Sequence, residues 1–377
     1  MSSVMLQGHV LELLGDIPDE FFDCVITSPP YYGLRSYDVP PVIWDGEDGC
    51  CHQWGSEMPE HHPGQVEQTK WKSADAAGKG QTAKSGQFCS LCGAWRGSLG
   101  LEPTYQLYIS HLMQIFREVY RVLKKTGTCW VNIGDSYASS GGASRHFGYQ
   151  DPKYKNGRDG SYEEPTAYPQ DKVQPKSLIQ IPERFSIAMT DAGWIKRNTM
   201  IWHKPNAMPS SAKDRFTVDF EYVYFFTKDK KYWFEQQFEP HLTQENRPDG
   251  IVRNRIFEYD SKENKMRGFK TKPNDKSCGH PYFHGKDVNY GEKGRNKRTV
   301  WTIPTKPCPE AHFAVFPDTL VKPMLNAGCP VDGWVLDPFA GIGTVGTVAK
   351  EQGKNFIGVE LSQAYCQMVE RRIENGT

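Results

Sequence analysis

No apolar run in the 377-residue chain approaches the ~18 residues that a membrane-spanning helix requires. The first twenty residues have neither a basic start nor a small-residue cleavage site, so they do not read as an export signal, and a cytoplasmic location is the default expectation. Without an export signal, the ten cysteines are expected as thiols or metal ligands rather than disulfides. Cys24, Cys129, Cys329 and Cys366 lie in apolar stretches and read as core residues. Net charge is absent too, which argues against indiscriminate coating of nucleic acid. The balance is nevertheless uneven: residues 1–64 carry one Arg against eleven acids, whereas 247–298 carry fourteen Lys or Arg against seven.

Hydrophobic periodicity is missing over two further stretches. From about 39 to 98 it dissolves into Gly, His, Lys, Gln and Ser, the mark of a loop-rich inserted module, and residues 138–176 read as a long loop. Elsewhere strands and helices alternate. Short strands are expected at Val4–Leu6 and Cys24–Thr27 with a helix near Val10–Leu14 between them. A helix at Tyr105–Leu123 precedes a strand at Cys129–Ile133. Pro182–Ala192 reads as helix, followed by strands at 195–202 and 220–227. Near the C-terminus come a helix at Pro317–Ala327, a strand at Trp334–Leu336, a glycine turn and helix, a strand at Phe356–Leu361 and a last helix. This is the pattern of a largely parallel α/β sheet.

Two motifs carry chemistry. Asp337-Pro338-Phe339-Ala340-Gly341-Ile342-Gly343-Thr344 leaves a strand and enters a helix, and Glu360 ends the next strand. The glycines let backbone approach a nucleoside cofactor, and the second acid can accept from ribose hydroxyls, a logic shared with dinucleotide sites. Asp337 separates the two ligands: a carboxylate beside the turn suits the ammonium group of a methionine moiety and repels a pyrophosphate. The second motif, Ser28-Pro29-Pro30-Tyr31, leaves the carboxyl end of a buried strand, where open α/β sheets bind ligands. Two prolines fix the backbone, so the Ser28 hydroxyl and the Pro29 carbonyl can accept from the two hydrogens of an amino group, and Tyr31 can stack on a base taken out of a duplex.

Cys50-x-His52 and Cys89-x-x-Cys92 bracket the insert. Two close couples suit a tetrahedral structural zinc, with Cys51 as an alternative to Cys50. Cys278, His280 and His284 lack a second couple.

Together the two motifs resemble the amino-methyltransferase family of DNA methyltransferases, the site-specific N4-cytosine and N6-adenine enzymes of restriction-modification systems and phages. Their order, catalytic before cofactor, is similar to the permuted β class. The resemblance extends to Gly127–Tyr137, to Ile201–Asn206 and to His312–Pro317, and covers nearly the whole chain outside the inserts. It implies a circularly permuted, Rossmann-like α/β methyltransferase fold, with residues 1–38 and 99–234 as the catalytic half and 301–377 as the cofactor half. Residues 39–98 would be the zinc-binding insert and 235–300 the target recognition region.

Catalysis is then expected from Ser28, Pro29, Pro30 and Tyr31. S-adenosylmethionine would meet Asp337, Phe339, Gly341, Gly343, Thr344, Glu360, Phe316 and His9. His9 stands where family members often have Asp, and a neutral imidazole nitrogen could accept the same hydrogen bond from the adenine amino group. Arg253, Arg255, Arg267, Lys270, Arg295 and Arg298 are the expected contacts to double-stranded DNA, with the insert as a competing reader. Ser before Pro-Pro favours N4 of cytosine over N6 of adenine. A catalytically inactive DNA-binding regulator on the same scaffold is the rival from another class. A cognate restriction endonuclease and a second copy of the chain are the candidate protein partners, in a bacterial or phage-infected cell.

Overall fold

The computed structural model describes residues 2–33, 39–55, 58–59, 84–138, 173–174, 176–240, 257–260, 265–268, 295–306 and 316–375. These form two compact units, residues 1–235 with 299–377 and residues 236–298.

In chain order the first unit opens with β1 (Ser3–Gln7), α1 (Val10–Gly15) and β2 (Phe22–Thr27). The insert follows, with β3 (Val42–Trp44), β4 (Met58–Pro59), β5 (Lys84–Phe88) and β6 (Trp95–Gly97). Then come α2 (Tyr105–Val122), β7 (Leu123–Ile133), α3 (Ile181–Asp191), β8 (Ile195–His203) and β9 (Phe220–Thr227). The second unit carries β10 (Phe238–Glu239), β11 (Phe257–Asp260), β12 (Lys265–Gly268) and β13 (Arg295–Asn296). The chain then returns to the first unit through β14 (Val300–Thr302), α4 (Asp318–Gly328), β15 (Trp334–Asp337), α5 (Thr344–Glu351), β16 (Asn355–Glu360) and α6 (Gln363–Asn375).

Eight strands form the central sheet in the order β1-β16-β15-β2-β7-β9-β8-β14. Pairing is parallel from β1 through β7 and between β8 and β14, whereas β9 runs antiparallel to both its neighbours. The first strand of the chain hydrogen-bonds to the last, with Ser3 to Gln7 in register with Phe356 to Glu360. That pairing is the expected permutation in structural form. Successive connections diverge between β15 and β2, so the carboxyl ends of these two strands flank the topological switch point, where ligands bind in open α/β sheets.

The sheet buries a face on each side. One packs Leu112, Ile115, Phe116 and Val119 of α2 and Phe185 of α3; the other packs Leu320, Val321 and Leu325 of α4 with Val345 and Val348 of α5. α2 begins at Thr104, whose hydroxyl accepts from the Leu107 amide at 3.2 Å, a capping arrangement that fixes the helix start.

The insert contains secondary structure that the sequence did not disclose: an antiparallel sheet of order β3-β6-β5-β4. β14, likewise unanticipated, extends the main sheet beside β8.

Candidate active site

Both motifs open onto one cavity of about 370 Å³ at the carboxyl ends of β2 and β15. Ser28, Pro29, Pro30 and Tyr31 line it from one side; Phe339, Gly341, Thr344 and Glu360 line it from the other. Phe316 and His9 complete the group of expected residues found there, while His312 to Val315 fall outside the described residues.

The cofactor turn is shaped by glycine at two positions. Gly343 has φ +77° at the start of α5, and a β-carbon there would lie 2.4 Å from Val369. Gly341 has φ +51° with nothing near its missing β-carbon, and its amide donates to Glu360 Oε2 at 3.0 Å. The Ser362 amide donates to Glu360 Oε1 at 2.9 Å. Burial nevertheless raises the Glu360 pKa, against the pull of these backbone bonds.

Asp337 lies deeper than the sequence reading placed it. It is 1% exposed beneath the turn, and its Oδ1 accepts from Thr27 Oγ1 at 2.7 Å and from the Phe339 amide at 3.0 Å. Burial pushes its pKa from 3.8 up to about 7 in spite of both bonds, with the Glu360 charge adding to the rise. His9 is held below its ordinary pKa, chiefly by burial, and its Nε2 is buried with no hydrogen-bond partner among the described residues.

Around the tetrapeptide stands a polar network that the motif does not reveal. Tyr31 Oη lies 2.7 Å from Glu221 Oε2 and 3.0 Å from Asn132 Oδ1. Asn132 Nδ2 donates to Glu221 Oε2 and to the Tyr222 carbonyl, both at 3.1 Å, which orients its Oδ1 toward Ser28 Oγ at 3.4 Å. Lys204 pairs with Glu221. A tyrosine hydroxyl has one proton, and the nearer carboxylate takes it. Asn132 Oδ1 and Tyr31 Oη, each 3.4 Å from Ser28 Oγ, can both accept from Ser28, whose lone pairs remain for a ligand. Gly134 admits the Tyr31 ring: a β-carbon there would sit 2.5 Å from Tyr31 Cε2. Tyr108 Oη donates to the Pro30 carbonyl at 2.7 Å and braces the loop from α2.

Asn132 and Glu221 were missed from sequence, although each is a polar residue within an apolar or aromatic strand, which was the available signal.

In the insert, the ligand atoms of Cys50, His52, Cys89 and Cys92 lie within 4.8 Å of one another. Cys50 Sγ and Cys89 Sγ are 4.0 Å apart, close to the ~3.8 Å edge of a tetrahedron with Zn–S bonds of about 2.3 Å. Cys51 is exposed and outside the group. The donor set therefore fits zinc.

Of the expected DNA contacts, Arg253, Arg255 and Lys270, together with Cys278, His280 and His284, lie outside the described residues, and Arg267 is on β12. Arg295 and Arg298 both engage Glu239 Oε1, at 2.9 and 2.7 Å.

A sheet of this order, entered by permutation and carrying a nucleoside-type turn and a Ser-Pro-Pro-Tyr loop on one switch-point cavity, defines a methyltransferase fold. The chain belongs to the N6/N4 DNA methylase family, whose model matches residues 22–371. It is 32% identical over 372 residues to the type II methyltransferase M.SmaI of Serratia marcescens, covering 99% of this chain and 91% of that one. It is 29% identical over 372 residues to the type II methyltransferase M.Cfr9I of Citrobacter freundii, covering 99% and 88%. Among solved structures, the PvuII DNA methyltransferase (cytosine-N4-specific) superposes with a TM-score of 0.51 at 15% identity, covering 100% of this chain and 94% of that one, a likeness of fold.

Proposed function

We propose that the chain transfers the methyl group of S-adenosylmethionine to the exocyclic N4 of cytosine in double-stranded DNA. The observation that carries this reading is the position of Ser28 and Pro29 on the same cavity as the Gly341–Thr344 turn. The cofactor supplies an electrophilic methyl on a sulfonium. The protein must make a poor nucleophile competent, because the amine lone pair is delocalised into the ring. Ser28 Oγ, its own proton directed to Asn132 or Tyr31, and the Pro29 carbonyl accept the two amino hydrogens and draw the nitrogen toward tetrahedral geometry. Tyr31, locked at its hydroxyl by Glu221, offers a ring face to a base that has left the duplex and holds it in line. His9 Nε2, without a hydrogen-bond partner among the described residues, suits the adenine amino group, and Glu360 suits the ribose.

Ser in place of Asp or Asn favours cytosine over adenine. Residues 235–300 are assigned to target recognition on their charge, and one zinc on Cys50, His52, Cys89 and Cys92 holds the insert. Similarity to type II methyltransferases makes a cognate endonuclease a natural partner. Among the described residues no helix is long and apolar enough to cross a membrane.

Methylation-sensitive sequencing of DNA from cells expressing the protein should show N4-methylcytosine at one sequence. N6-methyladenine there would move the assignment to adenine. Ser28→Ala should keep S-adenosylhomocysteine binding and lose turnover. Wild-type turnover in that variant would sink the mechanism, and a wild-type protein that binds no S-adenosylhomocysteine would instead be a DNA-binding regulator.

A further inference from the structure

The insert reaches the cofactor cavity itself. Val39, Val42 and Trp44 line the cavity beside Gly8 and His9, and the Gly8 amide donates to the Glu360 carbonyl at 3.0 Å, so this wall adjoins the end of the cavity where Glu360 sits. Trp44 is 2% exposed and held on several sides. Its indole nitrogen donates to the Gly97 carbonyl at 3.3 Å, and the His9 ring meets it edge-on at 4.9 Å. His111 of α2 stacks against it at 4.6 Å and 21°, and Trp95 of β6 also stacks with His111, at 5.4 Å and 21°.

The stack is pinned at both imidazole nitrogens, Nδ1 to Glu102 at 2.9 Å and Nε2 to Asp45 at 3.0 Å. Trp95 fits only because its strand neighbours are glycines: a β-carbon on Gly97 would lie 2.2 Å from its ring, and one on Gly86 2.7 Å. Trp95 follows Cys92 by three residues, and Trp44 precedes Cys50 by six. The strands that carry both tryptophans therefore run directly into the Cys/His cluster. β3 is joined to β6 by three residue pairs, too short a ladder to hold its position alone. A metal on the cluster would add a constraint where β3 and β6 run into it.

We infer that Trp44 is a wall of the nucleoside end of the cofactor site, and that metal bound by Cys50, His52, Cys89 and Cys92 sets cofactor affinity by fixing that wall. The inference rests on the proposed cofactor and metal readings and adds the coupling between them. The test is calorimetric titration of the full-length protein with S-adenosylhomocysteine, alongside zinc content. Trp44→Leu, which keeps apolar bulk but loses the aromatic face, should bind about tenfold more weakly. Wild-type protein stripped by a chelator should weaken by a similar factor and recover on addition of zinc alone, a reversibility that misfolding would not show. Stripping zinc from Trp44→Leu should cost little more. Wild-type affinity in Trp44→Leu, or in fully stripped protein, would overturn the coupling. Wild-type protein that binds no S-adenosylhomocysteine, or carries no zinc, would overturn it by removing the parent readings, which those two controls identify separately.

Discussion

Asp337 offers a pH-dependent test of the cofactor site. Its carboxyl is buried, and its pKa rises from 3.8 to about 7. About three units correspond to roughly 4 kcal/mol, at 1.36 kcal/mol each. The sign follows from the direction. A carboxyl whose folded pKa lies above its unfolded value costs nothing at pH below about 4, destabilises the ligand-free protein increasingly between about pH 4 and about pH 7, and carries its full cost above that. A ligand that brings an ammonium group near the carboxylate reverses part of that cost, because it favours the charged form. Affinity for S-adenosylhomocysteine should therefore rise about tenfold between pH 6 and pH 8, as the ionised fraction goes from about one tenth to about nine tenths. Burial holds His9 below its ordinary value, the opposite direction from Asp337. Asp337→Asn keeps an Oδ1 to accept from Thr27 and from the Phe339 amide, so the turn should persist. Calorimetry at half-unit pH steps should give a flat profile for this variant and weaker binding at pH 8. Asp337→Asn that retained the wild-type slope would place the titration on another group and refute the role given to Asp337.

Three further outcomes are expected. His111→Phe preserves the stack between Trp44 and Trp95 but leaves the fully buried Glu102 carboxyl without its imidazole partner. Denaturant unfolding should show a loss of about 3–5 kcal/mol. Gly134→Ala places a methyl against Tyr31, so single-turnover methylation should fall at least tenfold while S-adenosylhomocysteine binding is unchanged. Replacing Arg253 or Arg255 by Gln should either lower DNA affinity on all sequences and reduce the salt slope by about one, or cost about 1–3 kcal/mol at one base pair; filter binding across salt and sequence variants tells which.

The main sheet was legible because its strands are apolar runs bounded by Pro and Gly, and the sequence placed most of their ends within a residue or two. β14 was not anticipated, and β7 begins earlier than expected. It starts at Leu123, not Cys129, because Lys124, Lys125, Thr126 and Gly127 interrupt the apolar signal while Leu123 already pairs with Phe22. The insert hid its strands for a related reason. Two have three residues each, and β5 is polar with a glycine at its centre, required by the Trp95 indole rather than by any strand preference. At the site, Ser28, Gly341 and Glu360 were readable from local motifs. Glu221 and Trp44 were not. Glu221 meets Tyr31 across 190 residues of chain because β9 is antiparallel beside β7, and Trp44 reaches the cavity through a stack anchored on a different helix. Such contacts are set by topology, to which no short spacing corresponds.

The same geometry explains why the permuted motif order does not separate the two halves of the site. β2 and β15 are 310 residues apart in sequence yet adjacent in the sheet, and the hydrogen bond from Thr27 to Asp337 joins the residue before Ser28 to the residue before Pro338. Each motif therefore carries one end of a buried bond whose acceptor is the Asp337 carboxylate beneath the cofactor turn. Because that bond lowers the Asp337 pKa while burial raises it, the position of the catalytic loop and the charge beneath the cofactor turn are linked. The Glu102 carboxylate, which accepts from the Gly100 amide at 2.7 Å, extends the connection. Gly100 in turn accepts from the Gly33 amide at 2.8 Å, just beyond the tetrapeptide. The loop that carries the tetrapeptide is thus tied to the cofactor turn by one buried bond, Thr27 to Asp337, and to the insert by a separate route through Gly100, Glu102, His111 and Asp45.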